Sequence, residues 1–134
     1  MNTYNKNHML IQTFIEVDTQ LSQLTKSISA HQYIEIGDDP RLVKNIEELL
    51  ARLYGKVKSI EPYFDLATTP LIKANIYFIL IKHMGDTLKF LQEIKRKDHG
   101  SLQHTQKLLD KLRKCTDSLS AIGELAVFNA DIIN

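Results

Sequence analysis

The sequence has a single cysteine, Cys115, no tryptophan, three prolines and five glycines in 134 residues. One cysteine closes no disulfide within the chain, and no cysteine pair is present to hold a metal, so a reducing, cytoplasmic compartment is expected. Long apolar runs are missing too. The longest, Ile76 to Ile81, is bounded by Asn75 and Lys82 and falls far short of the roughly 20 residues of a membrane-spanning helix. The polar opening from Met1 to His8 lacks the short apolar block of a signal peptide. Neither membrane insertion nor secretion is therefore expected. Charge of either sign is not in excess: seventeen basic residues stand against sixteen acidic ones, a net charge of +1. The chain as a whole is not an electrostatic binder of nucleic acid or anionic lipid, and any such binding has to be local.

What is present is hydrophobic periodicity of the helical kind. Leu10, Phe14, Val17, Leu21, Leu24 and Ile28 alternate spacings of four and three, a narrow seam that predicts a first helix from Thr3 or Asn7 to Ala30. Asp39-Pro40 supplies a capping carboxylate followed by the residue best suited to a first helical position, so a second helix starts there and runs to about Ile60. Its apolar arc holds Leu42, Val43, Ile46, Leu49, Leu50, Leu53, Tyr54, Val57 and Ile60, with Lys44, Glu48 and Arg52 on the opposite side. Thr69-Pro70 repeats the start signal. A third helix follows to about Lys97, with Ile76, Leu80, Met84, Leu88, Leu91 and Ile94 inward and Ile72, Ile79 and Phe90 widening the strip. After Gly100 and Ser101, a fourth helix carries Leu102, Leu108, Leu109, Leu112, Cys115, Leu119, Ile122, Ala126 and Ile133 inward.

The expected fold is all-α: one domain over 1–134, an antiparallel up-down-up-down four-helix bundle with long helices and short loops. Tyr33 to Ile36 alternates but is too short for a sheet; Ile34 and Ile36 are expected to cap the bundle end.

Motifs for chemistry are absent. There is no Glu-x-x-His pair for a carboxylate-bridged metal, no His-Glu-x-x-His, no phosphate-binding glycine loop, no nucleophile elbow and no dinucleotide fingerprint. The inward strips hold no acid for general acid/base work. No enzyme activity, cofactor or metal is expected. His83, mid-helix on the flank of the apolar arc, is the one histidine with a functional alternative. Histidine phosphotransfer domains are bundles of similar size with a mid-helix histidine, but lysine and glycine typically follow it, whereas Met84, Gly85 and Asp86 follow here. An acid three residues on would repel a phosphoryl group.

Two features exceed an ordinary bundle. In its last three turns the fourth helix is apolar on both sides, with Ala121, Leu125, Phe128 and Ile132 opposite Leu119, Ala126 and Ile133. The third helix repeats this at its start, where Leu71 and Phe78 point away from Ile76 and Leu80. In an antiparallel bundle these stretches share an end, together with Tyr63, Phe64 and Leu66. Leu71, Phe78, Leu125, Phe128 and Ile132 are thus candidates for an apolar patch that takes a partner helix or a second copy of the chain. The competing reading is that the Pro62 to Thr68 connection and the last residues fold over one another and close the end.

At the other end, Lys95, Arg96, Lys97 and His99 form a basic tip continued by Lys107, Lys111, Arg113 and Lys114. The tip is a candidate phosphate or nucleic-acid site. It has no interleaved aromatics for stacking on bases, and Glu35, Asp38 and Asp39 are expected to neutralise part of it. The functional expectation is a non-enzymatic interaction module such as an adaptor, chaperone, inhibitor or accessory protein. A nucleic-acid or phosphate-binding regulator is the alternative, and phosphotransfer through His83 ranks third.

Overall fold

A computed structural model describes the backbone over 3–30, 36–64, 71–97 and 102–133, and side chains over 9–30, 36, 38–64, 74–95 and 104–122. The protein is all-helical. Four α-helices, α1 (Thr3–Ala30), α2 (Pro40–Ser59), α3 (Leu71–Lys97) and α4 (Leu102–Ile133), form a bundle with no strand among the described residues. Short 3-10 turns at Ile36–Asp38 and Glu61–Phe64 flank α2. Its start is built as the sequence implies: the Asp39 carboxylate accepts the Leu42 amide at 3.1 Å, and Pro40 opens the helix, leaving one fewer amide to satisfy. At its other end the Ile60 amide turns back to the Val57 carbonyl at 3.3 Å. Lys56 and Lys58 in the last turn complement the negative end of the helix dipole.

Cross-helix contacts set the arrangement. Lys56 pairs with Glu16, and Arg52 donates to Gln20 at 3.0 Å, so residue numbers rise along α1 as they fall along α2. The Tyr77 hydroxyl donates to the Val57 carbonyl at 2.6 Å while Lys95 meets Glu47 at 3.3 Å, which gives α2 and α3 the same reversed register. Thr87 meets Cys115, and Phe90 meets His104, between α3 and α4. Each of these pairs therefore runs antiparallel. α4 packs against both α1 and α3, as α2 does from the other side.

One hydrophobic core draws on all four helices and both 3-10 turns. Val43, Ile46, Leu50, Leu53 and Val57 of α2, and Leu108, Leu109, Leu112, Cys115, Leu119 and Ile122 of α4, are buried as their spacing predicts. On α3 Leu80, Met84, Leu91 and Ile94 are buried as expected, but the other two places of the strip go to different side chains. Tyr77 and Thr87 are fully buried, Ile76 and Leu88 are only half-buried, and Ile79 is 47% exposed. The reason is the tyrosine and threonine themselves. Tyr77 can enter the core because its hydroxyl reaches the Val57 carbonyl, and Thr87 because its hydroxyl donates to the His83 carbonyl at 2.7 Å, so neither buries an unsatisfied polar group.

α2, at 20 residues, is much shorter than α1, α3 and α4 at 28, 27 and 32. The bundle corner beyond Ser59 is therefore filled by other means. The turn Glu61–Phe64 lays the Phe64 ring flat on Tyr77, centroids 4.2 Å apart and 2° from parallel, with the edge of Phe14 against it at 6.0 Å. Phe64 is 1% exposed. At this corner the first half of the connection closes the end, and Phe64, expected near an open patch, is core instead. At the other end Ile36 is buried and its amide donates to the Thr105 hydroxyl oxygen at 3.1 Å. Ile36 thus caps the bundle; Ile34 lies outside the described residues.

Candidate functional site

Among the described residues, three large hydrophobic side chains stand out in solvent: Ile15 at 54%, Ile79 at 47% and Phe78 at 39%. The contact of Lys56 with Glu16 and that of Tyr77 with Val57 put all three near one level of the bundle. Their directions differ. Helical residues advance by about 100° each, and Glu16 and Gln20 mark the edge of α1 that faces α2. Ile15, with half-buried Ile11 one turn before it, lies on the other edge, toward α4. Ile79 lies about three turns before Phe90 and in nearly the same direction. The Phe90 ring meets His104 at 6.0 Å and lies under the Lys111 ammonium at 5.5 Å. Ile79 therefore sits on the edge of α3 that faces α4. Phe78 rests edge-on against Tyr77 at 5.4 Å, on the side from which Tyr77 reaches α2.

Ile15 and Ile79 consequently flank α4 from its two sides. The Thr87–Cys115 contact places the level of Ile79 about two turns beyond Cys115, where Ile122 is buried and Leu125 follows. Of the residues expected to form the patch, the structure describes the side chain of Phe78, which is exposed. Those of Leu71, Leu125, Phe128 and Ile132 lie outside the described residues, although the helical backbone of α4 continues to Ile133. Sequence reasoning missed Ile15, a lone isoleucine off the seam, and assigned Ile79 to the inner strip. The signal for Ile15 was its position among Gln12, Thr19 and Gln23, an outer face with little charge. Asp18, part-buried on the α4 side of the same helix, has its carboxyl raised above the ordinary value by burial.

Among the described residues the basic tip is partly neutralised by Glu47, while Glu35 lies outside them. Lys95 pairs with Glu47 of α2 at 3.3 Å, while Asp39 is engaged as the α2 cap. Arg113 pairs with Asp110 at 3.2 Å, and Lys111 covers Phe90. Lys107 and Lys114 are exposed; the side chains of Arg96 and Lys97, and all of His99, lie outside the described residues. Spacings of four and three put Lys107, Lys111 and Lys114 in one row along α4.

His83 is half-buried on the α4-facing side of α3, and its carbonyl accepts the Thr87 hydroxyl. Cys115 is fully buried. Burial pushes its thiol up from 9.0 to about 11, against smaller lowering influences from Thr87 and Lys111 and a further raising one from Asp86. A thiol so protonated is a small core hydrophobe and a poor nucleophile. Among the described residues no group of three or more His, Cys, Asp or Glu is placed to hold a metal ion, and no helix is long and apolar enough to cross a membrane. Comparison with protein-family models, curated proteins and solved structures found no match to this chain.

Proposed function

We propose that this chain is a non-enzymatic protein-interaction module that uses the outer face of α4 near its C-terminal end, bordered by Ile15 and Ile79, to take an apolar helix of a partner or a second copy of itself. The observation that carries this reading is the exposure of two isoleucines on the α4-facing edges of α1 and α3. Register continued from buried Ile122 assigns positions 125, 128 and 132, which are Leu, Phe and Ile, to the outer side of α4 between them. Exposed apolar residues gathered in one patch mark an association surface more often than isolated ones do. Phe78 borders the α2 side of the same end.

The test is light scattering over a range of concentrations, together with binding of amphipathic helical peptides. Self-association or peptide binding is expected in the parent chain and lost in the Ile15→Ser/Ile79→Ser variant at unchanged helicity. A parent chain that stays monomeric and binds no such peptide would overturn the reading. Both substitutions fall on exposed positions, so a change in association is separable from a change in folding.

A second reading draws on the row of Lys107, Lys111 and Lys114, for which the described residues offer no acidic partner. These lysines suit phosphate or nucleic acid, and binding of that kind weakens steeply with salt. Titration of labelled DNA and RNA at two ionic strengths decides it: no binding at low salt removes this reading and leaves the apolar face untouched.

A further inference from the structure

We draw no further inference here: the strongest candidate, the small-residue strip where Gly85 of α3 faces Tyr54 of α2 beside exposed Gly55, carries nothing because no second observation in the structure points to what would pack against it.

Discussion

The two ends of this bundle are closed by different chemistry. Beyond the short α2, the end that holds the first turns of α3 is sealed by rings: Phe64 stacks on Tyr77, Phe14 meets it edge-on, and one hydroxyl-to-carbonyl bond from Tyr77 pins the group. The opposite end is sealed by a backbone amide, Ile36, on a threonine hydroxyl, with a carboxylate cap at Asp39 and an ion pair between Lys95 and Glu47. Aromatic closure depends on area and shape and does not force neighbouring surface to be polar. Exposed apolar side chains can therefore gather around it, and Ile15, Phe78 and Ile79 all do. Among the described residues, no large hydrophobic side chain is exposed at the polar end. On the proposed reading, association through apolar contacts and any attraction of anions belong to different ends.

The comparison is broken most severely at Phe64. Phe64→Ala removes a fully buried ring and its stacking partner's contact, and costs about 3–5 kcal/mol. Denaturant titration should show this loss, with a fall in the near-ultraviolet tyrosine signal of Tyr77. A cost below about 1 kcal/mol would mean that the corner collapses readily and that the stack is not what closes it.

How much of this was legible in the sequence varies by helix. α2 was readable almost to the residue because it has one apolar arc, one charged side and an unambiguous Asp39-Pro40 start. α3 was readable as a helix and in most of its inner strip, Leu80, Met84, Leu91 and Ile94, but not at Tyr77 and Thr87. Apolar residues surround its first half, so periodicity alone leaves neighbouring positions open, and Tyr77 and Thr87 occupy the places expected of Ile76 and Leu88. What admits Tyr77 to the core is polar satisfaction at a distance, by the Val57 carbonyl, which lies in another helix and has no local signature. The site suffered the same way: Ile79 was read as widening the inner strip, and Ile15 carries no motif. The Lys95–Glu47 pair was invisible for a related reason, since it depends on how far α3 slides along α2. Cys115, by contrast, was legible as core from spacing alone.

Between the two ends, Cys115 offers a pH-dependent test of whether they unfold together. Folding raises its thiol from 9.0 to about 11, so the folded chain holds this proton more tightly than the unfolded one. The contribution is complete below about pH 9 and is lost progressively as pH rises to about 11. Two pKa units correspond to an upper bound of about 2.7 kcal/mol. Stability should fall over that window and fall less in Cys115→Ala, after allowing for the lower starting stability of the variant. At neutral pH a thiol reagent should label Cys115 only at the rate of opening, and Phe64→Ala should speed that labelling. Unchanged labelling in Phe64→Ala would show that the aromatic end opens independently of the middle.

The polar end should yield a smaller effect with a sharper signature. Thr105→Val keeps the shape of a 1% exposed side chain but removes the hydroxyl that accepts the Ile36 amide, and a buried donor left without its acceptor costs about 1–3 kcal/mol. The loss should be local as well as global, with hydrogen exchange at the Ile36 amide accelerating more than at amides of α3 beside Tyr77. Thr105→Ser, which retains the oxygen and gives up only a methyl group, should preserve most of the exchange protection. If Thr105→Val keeps the protection and Thr105→Ser loses it, the end is held by packing of the threonine methyl, and the contrast between a ring-closed end and a hydrogen-bond-closed end fails. If Thr105→Ser keeps the protection and Thr105→Val loses it while helicity and association remain those of the parent chain, the polar end can be loosened without disturbing the apolar face, as two independently built ends require.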